Sequence, residues 1–278
     1  RPSPNGTVNR NSRRPEQEAD RMKEDSSVKA LIIIPAYNEA ENIQKVADRL
    51  ITDYPQYDYV IVNDSSKDET AAICRQNHYN FVTLPINLGI GGGVQTGYKY
   101  ALEHGYDIAV QHDGDGQHDP AYIEKVIQPL AEGQADIAIG SRFLNREGFQ
   151  SSAGRRAGIR FLSLLIRLCC GARVKDVTSG FRAVNRKYIR FYAEDYPSDY
   201  PEPEAIVTAS LDGARIREVP VVMRERENGV SSINLKRSVY YMVKVSIAIM
   251  ICRLTGKRTR KNKREAAEKE QNSTAVSS

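Results

Sequence analysis

Asp113-Gly114-Asp115 sets two carboxylates one residue apart, and Gly116-Gln117-His118 follows. An apolar run from Tyr106 to Val110 leads into this stretch, and Asp119-Pro120 offers an N-cap and a first helical residue behind it. An α/β sheet places its ligands outside the carboxyl ends of its strands. There, one or both carboxylates together with substrate phosphate oxygens can complete the octahedral shell of Mg²⁺ or Mn²⁺. Gln117 and His118 are near enough to join the shell or touch the phosphates. A solvated Gly/Asp turn is the competing reading. A calcium EF-hand loop is excluded, because its sixth position needs Gly and holds His118.

Four further groups carry possible chemistry. Asp64, among Asn63, Ser65, Ser66 and Asp68, can accept an imide N–H of a nucleobase or bind ribose hydroxyls. The same residue types also cap helices. The glycines from Gly89 to Gly97 allow close approach to a phosphate or simply tight packing. They match neither dinucleotide nor Walker spacing: Val94 and Thr96 break the first, and Tyr98 stands where the second needs Lys. Glu202 and Glu204, in Tyr-Pro-Glu-Pro-Glu, read as carboxylates on a proline-stiffened loop, either solvated or serving as a general base. Arg142, Arg226 and Ser231 can bind a diphosphate or remain surface groups.

The elements that must position these groups are legible as patterns. Ala30–Pro35 is a continuous apolar run, as a strand buried on both faces requires. Further strands are expected at 57–62, 81–84, 106–111, 135–140 and 214–224. Helices alternate with them, capped by Asn38 with Glu41 and by Ser66 with Glu69. That rhythm predicts an α/β fold with a doubly wound, mostly parallel sheet. After Ser141 it gives way to an amphipathic helix over 155–170 and an apolar helix over 239–254. The latter is shorter than the ~20 residues a membrane span needs, and basic residues follow it from Lys257 to Arg264. Residues 1–27 and 255–278 are polar and predict disordered tails, leaving 28–236 as the folded domain and 237–254 as an appended apolar or amphipathic helix.

A 278-residue chain with 40% hydrophobic and 27% charged residues builds an ordinary core, and the net charge of +5 is mild. Four cysteines without C-x-x-C spacing read as packing. No apolar segment at the N-terminus predicts a signal peptide.

Taken in order, Ile34-Pro35-Ala36-Tyr37-Asn38-Glu39, Val62-Asn63-Asp64-Ser65-Ser66-Lys67-Asp68, Asn87-Leu88-Gly89, Asp113-Gly114-Asp115-Gly116-Gln117-His118, Gly140-Ser141-Arg142, Thr178-Ser179-Gly180-Phe181-Arg182, Glu218-Val219-Pro220 and the segment from Arg226 to Ser232 resemble family 2 glycosyltransferases. The branch they resemble lies near dolichyl-phosphate and polyprenyl-phosphate sugar synthases and bacterial cell-surface glycan transferases. The resemblance runs from about Leu31 to Leu254 and implies a GT-A fold. It implies that Pro35, Tyr37, Glu39, Asp64 and Gly89 meet the nucleotide, and that Asp113, Asp115 and Gln117 hold Mg²⁺ or Mn²⁺. His118, Arg142, Arg226 and Ser231 would lie by the diphosphate or acceptor. Glu204, and less so Glu202, would be the base of an inverting transfer from a UDP-, dTDP- or GDP-sugar.

With no tryptophan in the chain, the Q-x-x-R-W pattern of processive synthases is absent. The expected acceptor is a lipid-linked or cell-surface glycan, with plain polyprenyl phosphate as the alternative. A non-catalytic sugar-nucleotide-binding subunit is the reading from another class. The expected setting is cytoplasmic and peripheral, on the inner face of a membrane that residues 237–264 would touch. A homo-oligomer or a membrane-protein partner fits this setting, and no nucleic acid is expected.

Overall fold

The computed structural model describes residues 28–145, 153–199, 201–223 and 240–255. Seven strands form one sheet in the order β3-β2-β1-β4-β6-β5-β7. They are β1 (Ala30–Ala36), β2 (Asp58–Asn63), β3 (Phe81–Thr83), β4 (Ile108–Gln111), β5 (Ile137–Ser141), β6 (Arg182–Asn185) and β7 (Ile216–Pro220). All neighbouring pairs are parallel except those made by β6, which runs antiparallel to both β4 and β5. The helices are α1 (Ile43–Asp53), α2 (Thr70–Gln76), α3 (Gly89–Glu103), α4 (Ile123–Ala131), α5 (Ala153–Cys170), α6 (Arg186–Glu194), α7 (Pro201–Asp212) and α8 over 240–255.

The period of two along β1 divides the core. Leu31 and Ile33 enter one apolar layer with Val94, Tyr98 and Leu162, while Ile32 and Ile34 enter the other with Ile43, Val46 and Val126. All seven residues of β1 are buried, which is why its sequence is apolar without alternation. Helix α3 lies so close to β1 that a Cβ on Gly97 would meet Ile33 Cγ2 at 2.2 Å. Gly97→Ala is therefore expected to destabilise by about 1–3 kcal/mol through overpacking. Urea unfolding at constant m-value measures it; an unchanged midpoint would refute the close approach.

Three local expectations need correction. Asn38 caps no helix: its φ is 56°, a region Asn tolerates. Its amide donates to Ser66 Oγ (3.0 Å) and its Oδ1 accepts from Lys67 N (2.8 Å), so it ties the loop after β1 to the loop after β2, and α1 starts later, at Ile43. Ser66 is thereby taken, and Asp68 Oδ1 instead accepts the Thr70 amide at the start of α2 (3.0 Å). The Pro-Glu-Pro-Glu segment is the first turn of α7 rather than a loop. Proline there sacrifices no bond, since first-turn N–H groups have no intrahelical partner, and the acidic residues suit the positive end of the helix dipole. The Asp119-Pro120 start holds, with Asp119 accepting from Ala121 N (3.1 Å) ahead of the short 3₁₀ turn that opens α4.

Candidate active site

The carboxyl ends of β1, β2 and β4 lie side by side, because β1 pairs in parallel with both neighbours. The loops leaving them meet over one cleft of about 330 Å³. Pro35, Tyr37 and Glu39 line it from β1, Asp64 from β2, Gly89 from the start of α3, and Asp113 and Asp115 from β4. The structure thus gathers the residues that the sequence spreads over more than seventy positions. Asp64 is buried and accepts the Leu88 amide on Oδ1 (2.7 Å), and Asn87 Nδ2 donates to its carbonyl (3.1 Å). The Asn-Leu-Gly motif is in this way fastened to the strand end. Gly89 takes φ 76°, and a Cβ on Gly91 would meet the Pro197 carbonyl oxygen at 2.0 Å. Of this glycine cluster, Gly89 and Gly93 line the cleft while Gly91 and Gly97 serve packing.

The Asp113 loop is braced from beneath. His118 is 4% exposed, and its Nδ1 accepts the Asp113 amide (3.0 Å). The Nε2 atom, 3.6 Å from Asp113 Oδ2, therefore carries the proton of a neutral ring. Burial pushes the His118 pKa down to about 4, and the ring stacks on Phe181 at 5.0 Å. His118 supports the loop through its bond to the Asp113 amide. Asp115 Oδ1 accepts the Gln117 amide (3.0 Å), and Gln111 Nε2 donates to Asp113 Oδ1 (3.3 Å). The Asp113 carboxyl is pushed above its ordinary value by burial, against the pull of Gln111, His112, Arg182 and Arg142.

Among the described residues no trio of His, Cys, Asp or Glu side chains converges into a closed metal cage. Two hard carboxylates in an open cleft suit an oxygen-seeking Mg²⁺ or Mn²⁺ completed by phosphate oxygens, and not a structural zinc.

Arg142 is held by a carboxylate of this chain. It is buried against Asp176, with Nε–Oδ2 at 2.7 Å and Nη2–Oδ1 at 2.6 Å, and Nη2 also donates to Thr178 Oγ1 (3.1 Å). Asp176 and Lys175 in turn donate their amides to Glu218 (both 2.9 Å), which accounts for the Glu-Val-Pro motif as a clamp. Asp176 escaped the sequence reading, since nothing local marks a carboxylate whose partner lies 34 positions away. Arg226 and Ser231 lie outside the described residues.

Glu204 and Glu202 separate on α7. Glu204 Oε1 accepts from Cys252 Sγ of α8 (3.3 Å). Glu202 is raised above its ordinary value chiefly by burial, opposed by the charge of Arg182, and it feels the charge of Asp113.

Since β5 runs parallel to β4, Phe143 just beyond it emerges at the same edge of the sheet. A second cleft opens there, about 660 Å³, where Arg156, Arg160, Arg167 and Lys175 join Phe143 and Leu164. On α5, Phe161, Leu164 and Leu168 are exposed. On α8, Val243, Ile247, Ile251 and Leu254 are exposed, whereas Val245 and Ile249 are buried in the core. No helix among the described residues is long and apolar enough to cross a membrane.

The fold resembles glucosyl-3-phosphoglycerate synthase from Mycobacterium tuberculosis, with a TM-score of 0.59 and 18% identity over 84% of this chain and 81% of that one. In sequence the chain is 34% identical over 210 residues to the UDP-N-acetylglucosamine–dolichyl-phosphate N-acetylglucosaminyltransferase of Methanococcus voltae, covering 68% of this chain and 83% of the relative. It is 30% identical over 217 residues to the undecaprenyl-phosphate mannosyltransferase of Micrococcus luteus, covering 74% and 88%. It is 28% identical over 216 residues to the polyprenol monophosphomannose synthase of Mycolicibacterium smegmatis, covering 74% and 81%. The family model described as glycosyl transferase family 2 matches residues 31–192, the span that carries the cleft and its loops, and the chain is a glycosyltransferase that belongs to this family.

Proposed function

We propose that this chain transfers one sugar, with inversion, from a nucleotide diphosphate to the phosphate of a polyprenyl carrier at a membrane surface. The observation that carries the acceptor is the basic cleft beside outward-facing apolar residues of α5 and α8. Four cationic side chains suit a phosphate, and the apolar faces suit the lipid it is attached to. The names of the relatives support this choice over a sugar-bearing glycan, which was the first expectation from sequence.

The donor takes the other cleft. Tyr37 and Asp64 meet the nucleoside, and Asp113 and Asp115, with Gln117 beside them, hold the diphosphate end. A Mg²⁺ or Mn²⁺ ion bound there would neutralise charge on the leaving diphosphate, as fits a fold neighbour studied with Mn²⁺ and uridine diphosphate. The acceptor phosphate is already anionic, so its oxygen attacks the anomeric carbon without a base. The arginines of α5 hold it.

The test offers UDP-N-acetylglucosamine, UDP-glucose and GDP-mannose, with Mn²⁺, to the protein on vesicles containing undecaprenyl phosphate. Labelled lipid from one donor is the expected product. Transfer only to a sugar-bearing lipid would overturn the acceptor. On the same anionic vesicles, Leu164→Glu combined with Ile247→Glu is expected to weaken binding at least tenfold, about 1.4 kcal/mol, through lost apolar burial.

A further inference from the structure

One buried side chain has no place in the chemistry above. Arg182 is wholly buried in β6, on the face that carries Val184 into the apolar layer with Tyr98, Tyr192 and Tyr196. Among the described residues it has no carboxylate within 4.0 Å. Its Nη2 donates to the Ser179 carbonyl (2.7 Å) and its Nη1 to the Glu202 carbonyl (3.4 Å), and its Nε has no partner. The hydroxyls of Tyr98 and Tyr196 and the Oγ of Ser179 are buried without partners as well. A buried charge without a direct counter-ion destabilises a fold, and an apolar residue of similar volume would serve the core better. Where a sequence departs from what packing favours, the departure marks a functional constraint.

The placement says which one. The register sets Arg182 opposite Gln111, whose side chain holds Asp113. Two residues earlier, Gly180 packs so tightly on that loop that a Cβ would meet Asp113 Oδ2 at 2.9 Å. On its other side Arg182 reaches the first turn of α7, and Tyr192 holds the next residue of that helix through its hydroxyl on the Ala205 carbonyl (2.9 Å). The charge of Arg182 is felt by both Glu202 and Asp113. We propose that Arg182 is a positioning residue: its bonds to the Ser179 and Glu202 carbonyls tie the first turn of α7 to the segment packed on the Asp113 loop, and so hold that loop in place. It deepens the proposed transfer reaction and rests on it for the identity of the reacting groups.

The test is Arg182→Met, with Arg182→Lys beside it. The Met variant is expected to melt at or above the wild-type temperature. Its kcat falls by about 10²-fold, the scale of an ångström-sized misplacement, while KM for the donor stays within about threefold. Arg182→Lys, which keeps the charge but not the two-pronged hold, recovers part of the loss. Hydrogen exchange at the Ala205 and Ile206 amides rises in the Met variant. A Met variant with wild-type kcat, or unchanged exchange at those amides, overturns the proposal. Should the Met variant fail to fold, Arg182→Lys decides: lowered kcat at wild-type stability supports positioning, and wild-type kcat refutes it. Absent turnover by the wild-type protein counts against the transfer reaction, while the exchange measurement still judges Arg182.

Discussion

Asp115→Ala is expected to lower sugar transfer by about 10³-fold or more, the scale of losing one group aimed at the leaving charge. The prediction rests on geometry that puts Asp115 on the wall of the donor cleft with Pro35, Tyr37 and Asp64, on a loop fastened to its own Gln117 amide. The substitution removes a half-buried carboxylate and with it the acceptor of the Gln117 amide, a local loss on a loop that the His118 ring still braces. Two measurements separate the cases. Wild-type protein should gain melting temperature from Mn²⁺ together with its donor, because a ligand that binds only the native state stabilises it by mass action. Asp115→Ala should melt like the wild type without ligand and gain nothing from the pair. If metal and donor still raise its melting temperature to the wild-type extent, Asp115 is not part of the metal and diphosphate site.

The second large effect concerns Arg142 and the buried carboxylate that holds it. Asp176 is fully buried and accepts three hydrogen bonds from Arg142, one from its amide and two from the guanidinium. Asp176→Ala strands a buried cation, which should cost about 3–5 kcal/mol. Removing both charges at once, as Arg142→Met with Asp176→Leu, should restore most of that stability, since apolar replacements of a buried pair are often neutral. The double variant also tests function. If Arg142 contributes only through this pair, donor KM in the double variant stays near the wild-type value. A large rise in KM for donor or acceptor would return Arg142 to the ligand. Chemical denaturation and steady-state kinetics on the same preparations read both outcomes.

Much of this arrangement was legible beforehand because its signals are local. The apolar run of β1 needed no tertiary information, and Asp64, Asp113 and Gly89 sit just past apolar runs, where a parallel sheet delivers its loops to one edge. What escaped depends on partners far away in the chain. Strand β6 is four residues long, Arg-Ala-Val-Asn, with no apolar run to announce it. It exists because two neighbouring strands supply its hydrogen bonds. Asn38 followed by Glu41 reads as a cap, yet contacts with Ser66 and Lys67 claim Asn38 first. The prolines around Glu202 suggested a loop because proline breaks helices in their interior; in the first turn that rule reverses. For His118 and Arg142, residue type could not announce the partners that hold them, the Asp113 amide and the Asp176 carboxylate.

The reversed strand also decides how this enzyme can be divided. The residues that form the donor cleft all precede Ser141, which invites the idea of a detachable donor-binding half. The sheet forbids it. Strand β6 arrives after β5 in the chain yet lies between β4 and β5 in space, with Arg182 opposite Gln111 on one side and Ile139 on the other. A fragment ending before β6 would leave β4 with a bare edge of unpaired backbone groups, open to pairing with other chains, and would take the Phe181 ring from beneath His118. Fusions, split reporters and chimeras with related transferases must therefore keep everything through β6 in one piece.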